Sequence, residues 1–388
     1  MLYHLGMTDP VQPSLPKIID LYAGVGGLSL GAARAGFEVA ACAELDPIAI
    51  ASHTQNFPAT KHIHGDVSTL NGDSLLASAN IAPGELAGLV GGPPCQGFSL
   101  IGRRSVSDSR NDLFSHFFRL VAETRPAFYL AENVPGILSK DTQPFIEAAL
   151  AQVPSDYVRL PPMIVEAQNF GAPTTRKRVF FIGYDPQRIS NLSEASFDTS
   201  DIPVFHVRDA LEGLPRVFPS WQREEQSWRE VKYSKSNYFT DRLRGHIPPN
   251  VGDAITIARL KNNIVSGFLG TCHTEKTVLR FGLLKPGEVD SVYRSPRLKL
   301  NGFCPTLRAG TAADKGSYQA VRPIHPSAPR VIAPREAARL QGFPDWFIFH
   351  HTKWHAFRQI GNSVSPLVAE RLLRVINSNL SQSLHCDS

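Results

Sequence analysis

Cysteine is scarce in this 388-residue chain and shows no paired spacing. The five cysteines, Cys42, Cys95, Cys272, Cys304 and Cys386, are odd in number and lack any Cys-x-x-Cys repeat. That argues against a disulfide framework and fits a reducing cytoplasm, where a reactive thiol stays reduced. No segment approaches the ~18 uninterrupted apolar residues of a membrane-crossing helix. The opening residues MLYHLGMTDPVQPSLP lack the apolar stretch of a signal peptide, so neither a membrane nor an export role is expected. Internal repeats are absent, which sets aside repeat architectures. Histidines gather at His350, His351 and His355, with His53, His62 and His64 elsewhere, but no cysteine pair or His-Glu-x-x-His pattern goes with them. No metal site is expected from that spacing. Strong charge is also missing, at a net +5, although its distribution is uneven: His206 to Leu300 holds 16 Lys and Arg against 10 Asp and Glu. The rest of the chain is close to neutral. A basic excess confined to one segment is what a phosphate-facing module would show.

What the sequence does contain is Gly91-Gly-Pro-Pro-Cys95-Gln-Gly-Phe-Ser99. A cysteine directly after two prolines cannot sit inside a helix, because each proline fixes its own φ and Pro94 biases Pro93 towards an extended shape. The apolar residues before it read as the end of a buried strand. The segment therefore predicts a stiff loop that presents one thiol at the edge of a sheet, which suits a nucleophile needing a fixed attack geometry.

The surrounding pattern alternates. Strands are predicted at Lys17–Ala23, Glu38–Leu45, Leu86–Val90, Ala127–Glu132, Tyr157–Ala167 and Arg178–Tyr184. Helices are predicted at Leu28–Ala35, Asp46–Asn56, Asp112–Glu123 and Thr142–Gln152, with Pro47 at an early helical position. This alternation predicts an α/β fold with a doubly wound, mostly parallel sheet. Ligands then sit beyond the carboxyl ends of the strands, where the Gly24 loop, Glu44, Asp66, the Cys95 loop and Glu132 all fall. Residues 186–330 break the pattern and form a candidate second, smaller and irregular domain after a first domain of residues 1–185. Regular patterning resumes in residues 331–388 with helices at Arg335–Gln341 and Ser365–Leu380.

The glycine loop Ala23-Gly24-Val25-Gly26-Gly27 lies between strand and helix, as a nucleotide-type cofactor requires. It is not the dinucleotide fingerprint, since Ser29 stands at the place of the third glycine. Glu44, at the end of the next strand, is placed to hydrogen-bond ribose hydroxyls.

Together these segments resemble the DNA cytosine-5 methyltransferases. The blocks are Asp20–Gly31, the Cys95 loop, Glu132-Asn133-Val134, Asn169–Pro173 with Arg176-Lys-Arg178, Arg335–Asp345 and Gln359–Pro366, in the family's order. The resemblance implies a Rossmann-like methyltransferase fold of the S-adenosylmethionine-dependent class, with a target-recognition domain at 186–330 and a C-terminal segment returning to the first domain. It implies that Cys95 attacks carbon 6 of a flipped-out cytosine, that Glu132 protonates or hydrogen-bonds ring N3, and that Arg176 and Arg178 orient the loop and the base carbonyl. The implied cofactor is S-adenosyl-L-methionine, held by Tyr22, Ala23, Gly24, Gly26, Gly27, Glu44, Leu45, Asp66, Val67, Leu113, Asn362 and Ser363. Gln96, Ser99 and Thr306 would touch DNA. Two positions depart from the family pattern. Thr174 replaces a glutamine, predicting one lost local hydrogen bond, and Leu45 replaces an aromatic residue beside adenine. The implied partners are double-stranded DNA and, as a separate chain, a cognate restriction endonuclease, for a monomeric cytoplasmic, nucleoid-associated enzyme. A transfer-RNA methyltransferase of the same fold is the alternative enzyme. A non-catalytic DNA-binding regulator would be expected to lack Cys95, Glu132 or the glycine loop, and all are present.

Overall fold

Apolar residues in the N-terminal half alternate in and out of two separate cores, and this period of two builds a sheet covered on both faces. The computed structural model describes residues 14–94, 112–219, 227–233, 238–245, 247–309 and 322–381. Its strands are β1 (Lys17–Leu21), β2 (Glu38–Glu44), β3 (Lys61–His64), β4 (Gly88–Gly91), β5 (Phe128–Asn133), β6 (Val158–Arg159), β7 (Met163–Glu166) and β8 (Lys177–Tyr184). The sheet runs β3-β2-β1-β4-β5-β8-β6, with β7 also paired to β8. The first five strands are mutually parallel, and β8 turns the sheet antiparallel against β5, β6 and β7. The sheet is thus mixed but mostly parallel, as the alternation of elements predicts.

Ile18, Val90, Leu130 and Phe180 face one core, while their neighbours Ile19, Leu89, Tyr129 and Phe181 face the other. The second core is closed by α3 (Gly72–Ser78), α4 (Asp112–Thr124) and α5 (Gln143–Leu150). The first is closed by α1 (Gly27–Arg34) and by the last helix of the chain, α12 (Pro366–Ser378). The two helices touch backbone to backbone at Gly31, where an added Cβ would lie 2.3 Å from that of Ala369. Helix α2 (Pro47–Asn56) starts where Asp46 accepts hydrogen bonds from the Ile48 and Ala49 amides.

Local chemistry explains where element boundaries differ from expectation. The single strand expected at Tyr157–Ala167 is two short ones, because Pro161 and Pro162 supply no amide hydrogen to the ladder. Strand β3 and helix α3 carry too little apolar periodicity to be read in sequence.

Residues 186–330 hold α6 (Val207–Leu211), α7 (Tyr238–Arg244), α8 (Ala254–Leu260), α9 (Glu275–Leu283) and a two-stranded sheet of β9 (Arg229–Glu230) and β10 (Ile264–Val265). Two small apolar clusters serve this region, one around Val217, Val231, Val265 and Phe268, the other around Phe281 and Ile324. Its first part belongs elsewhere: Ile189, Leu192, Phe197, Phe205, Val207 and Ala210 pack into the core shared by the main sheet and α12. Helix α10 (Pro334–Leu340) joins the two parts, and α11 (Lys353–Asn362) leads into α12. Among the described residues no helix is long and apolar enough to cross a membrane.

Candidate active site

The carboxyl ends of β1, β2, β4 and β5 open into one cleft of about 660 Å³. After β1 the backbone bends sharply: Tyr22 has φ +57° and Gly24 φ +58°. Tyr22 pays for this unusual conformation with a hydroxyl donated to the Leu113 carbonyl at 2.8 Å, which ties the loop to α4. Glu44, at the end of β2, accepts from the Gly24 amide and the Asp46 amide, both at 2.8 Å. Burial pushes its carboxyl pKa up despite these two bonds. A carboxylate has about four acceptor positions, so with Leu45 as a third backbone partner not all of them are taken and a ligand hydroxyl can still be accepted.

Tyr22, Ala23, Gly24, Gly27, Glu44, Leu45, Asp66, Val67, Leu113, Asn362 and Ser363 all line this cleft. Gly24 faces open space, since an added Cβ would meet nothing within 4 Å. Gly26 does not line it. Its Cβ position lies 2.4 Å from the Phe57 ring and 3.0 Å from His53, so it is a packing glycine behind the loop. Leu45 is 61% exposed, a wide mouth where the family pattern has an aromatic wall. Asp66 turns one oxygen inward to cap the Ser68 amide. Sequence reading missed His355 and Arg358 of α11, which line the mouth; Arg358 pairs with Asp46 at 2.9 Å.

Glu132 and Arg178 stand at the cleft's inner end. They lie opposite each other's strands, and Arg178 Nε is 2.5 Å from Glu132 Oε1, an ion pair rather than an aligned hydrogen bond. Gly92 makes room for that carboxylate, for a Cβ there would lie 3.1 Å from Oε2. Asn133 donates to the Pro93 carbonyl at 3.2 Å and accepts from the Val134 amide at 2.8 Å. The end of β5 is thereby fastened to the Pro-Pro loop. Pro93 and Pro94 line the cleft. Cys95, Gln96 and Ser99 lie outside the described residues.

Arg176 is placed differently from its expected role. It is buried at 2% exposure and absent from the cleft lining. Its guanidinium donates to the carbonyls of Leu307, Gly361 and Asn362 at 3.3, 2.9 and 3.4 Å. Burial, with Arg178 nearby, draws its pKa well below the ordinary arginine value. Arg176 therefore clasps the end of the irregular region and the C-terminal segment to the sheet. Thr306 is half-buried beside this clasp and outside the cleft. The hydroxyl of Thr174 is buried with no hydrogen-bond partner among the described residues, in keeping with the bond expected to be lost there.

A second clasp is built from the Arg335–Asp345 block. Arg339 grips Asp345 with two nitrogens, at 2.9 and 2.7 Å, and donates to the Ala210 and Glu212 carbonyls. Tyr233 adds its hydroxyl to Asp345 at 2.5 Å. Burial pushes the Asp345 carboxyl up, but Arg339 outweighs it and the net shift is downward.

Known proteins resemble this chain over most of its length. A type II methyltransferase, M.XorII of Xanthomonas oryzae pv. oryzae, is 40% identical over 94% of this chain and 83% of its own length. M.DdeI of Desulfomicrobium norvegicum is 30% identical over 93% of this chain and 88% of its own. Among solved structures, a prophage-encoded E. coli protein assigned as a DNA modification methyltransferase superposes with a TM-score of 0.85 at 49% identity, covering 94% of this chain and 99% of that one. The S. pombe Dnmt2 methyltransferase has the same fold, at TM-score 0.60 and 17% identity. The model of the C-5 cytosine-specific DNA methylases matches residues 16–378. With its glycine loop, its Glu132–Arg178 pair and Pro93-Pro94 lining one cleft, and with the family match running over residues 16–378, this chain belongs to the C-5 cytosine-specific DNA methylases.

Proposed function

We propose that this DNA cytosine-5 methyltransferase acts on a cytosine turned out of duplex DNA, with Cys95 as nucleophile and Glu132 as the acid at ring N3. The carrying observation is that Glu132 and Arg178 share the inner end of a cleft whose outer part is the glycine loop and Glu44. The outer part fits S-adenosylmethionine: Gly24 leaves open space where a side chain would stand, and Glu44 keeps acceptor capacity beyond its backbone partners. When bound, that cofactor supplies an electrophilic methyl group.

Carbon 5 of cytosine is a weak nucleophile, and addition of a thiolate to carbon 6 turns the ring into an enamine that can take the methyl group. Glu132 gives or holds the proton at N3 as carbon 6 is attacked. Arg178, paired with that carboxylate, would orient the base carbonyl. The proton on carbon 5 then leaves, with water sufficient as the base, and Cys95 departs as carbon 6 regains its double bond. A base inside a duplex cannot reach the cleft, so it must be extruded. The basic part of residues 186–330 would read the major groove. Gln96 and Ser99 would contact the vacated position, and Thr306 the backbone. The biological setting we infer is protection of DNA beside a separate restriction endonuclease, with the enzyme acting as a cytoplasmic monomer.

Conversion sequencing of DNA from cells expressing the protein tests this reading. Protected cytosines within one short recurring sequence, lost in Cys95→Ser, are expected. Protection of transfer RNA in place of duplex DNA would overturn it.

A further inference from the structure

Behind the cofactor loop, away from the cleft, three metal-ligating side chains meet that no sequence spacing connects. Cys42 and His62 are directly opposed on β2 and β3, and Asp20 stands opposite Cys42 on β1. Paired residues of parallel strands share a face, and α2 lays His53 over this row. Cys42 Sγ lies 3.6 Å from His53 Nδ1, and His53 Nδ1 lies 2.9 Å from His62 Nε2. All three atoms fall within 4.8 Å of one another.

We propose that Cys42, His53 and His62 form a binding site for a thiol- and imidazole-seeking divalent cation, Zn²⁺, on the back of the cofactor loop. Ordinary Zn–N and Zn–S lengths put tetrahedral ligand edges at about 3.3 Å between nitrogens and about 3.6 Å between nitrogen and sulfur. The observed edges match the second and fall a few tenths of an ångström below the first. Both histidines are oriented by partners on their other ring nitrogen. His53 Nε2 is 3.0 Å from the Ser29 hydroxyl, which donates to Asp20 at 2.6 Å. His62 hydrogen-bonds the Thr60 backbone. Because the Ser29 hydroxyl donates to Asp20, His53 Nε2 is the donor to Ser29, and His53 Nδ1 turns a lone pair towards Cys42 and His62. A carboxylate holding a ligating histidine through a hydrogen bond is the usual outer support of a metal site, and here Ser29 relays it. One oxygen of the buried Asp20 has no hydrogen-bond partner among the described residues. Cys42 and His53 are fully buried, and half-buried His62, on the edge strand, gives the route in.

Binding breaks the Cys42 S–H bond: the sulfur pair goes to the metal and the proton leaves to solvent, so one proton is released per ion. The site touches Gly26 and Ser29, so occupancy braces the glycine loop from behind.

The test is titration of the purified, metal-stripped full chain with Zn²⁺ against a chromophoric chelator, and with Co²⁺ by absorption. The expected result is one tight equivalent, with a thiolate-to-Co²⁺ band that disappears in both Cys42→Ser and the surface-accessible His62→Ala. Cys95→Ser and His355→Ala should keep the band, and Ser29→Ala should weaken affinity by about 10–100-fold. Far-ultraviolet circular dichroism of each metal-free variant checks its fold independently. Absence of a tight equivalent overturns the proposal, as does binding that survives in Cys42→Ser and His62→Ala or is lost in Cys95→Ser or His355→Ala.

Discussion

At the scale of single residues, the 2.5 Å pair between Glu132 and Arg178 settles what each can contribute. The carboxylate is held at the inner end of the cleft by a cation on the neighbouring strand, so its direction is set before substrate arrives. Glu132→Gln keeps the shape and removes the group that can exchange a proton. We expect the single-turnover methylation rate to fall by about 10²–10⁴ with cofactor affinity nearly unchanged. Cys95→Ser should abolish methyl transfer altogether while binding of DNA and cofactor, followed by gel shift and calorimetry, persists. Gly24 and Gly27 look alike in sequence and differ in space. An added Cβ at Gly27 would lie 2.4 Å from the Val364 carbonyl. Gly27→Ala is therefore expected to cost about 1–3 kcal/mol as overpacking, read as a lower urea midpoint together with weaker cofactor binding, since Ser363 and Val364 close the same cleft.

At the scale of elements, two arginine clasps do what no single apolar face could. Arg176, directly before β8, holds the start of that strand to the residues around Leu307 and to the end of α11. Arg339 on α10 holds Asp345 and the end of α6. A buried ion pair broken on one side leaves an uncompensated charge, so Asp345→Asn is expected to cost about 3–5 kcal/mol in urea unfolding. The sign of the pH dependence follows from the lowered Asp345 pKa. Its contribution is fully present above the unfolded carboxylate value near 3.8 and is lost as pH falls below that towards the folded value. The wild-type advantage over Asp345→Asn should therefore be flat at neutral pH and shrink below about pH 4.

At the scale of the whole molecule, the border between the catalytic and irregular parts does not fall where the pattern of strands stops. Residues Ile189 to Ala210 pack with α12 and the sheet, and Arg339 reaches back to the Ala210 and Glu212 carbonyls. Exchanging residues 213–303 with those of a relative of different specificity should yield a folded enzyme with moved specificity. Exchange of 186–330 should yield less soluble protein, because it also replaces Phe197, Phe205 and Val207 of the core. Conversion sequencing of DNA from cells carrying each chimaera checks both outcomes.

What the sequence by itself determined was whatever depends on neighbours along the chain. The glycine loop, the Pro-Pro-Cys loop, the strand ends at Glu44 and Glu132 and the alternation of elements are local patterns, and local sterics and a period of two write them directly into residue order. That order was enough for the fold class, and the reaction followed from the resemblance those blocks carry to the DNA cytosine-5 methyltransferases. Tertiary structure decided what depends on residues far apart. It turned Arg176 from the cleft to a clasp, moved Gly26 behind the loop, brought His355 and Arg358 to the cleft mouth, and set Cys42, His53 and His62 around one point. None of these follows from spacing, because strand order and helix placement fix which side chains meet, and those are properties of the assembled sheet and its two cores.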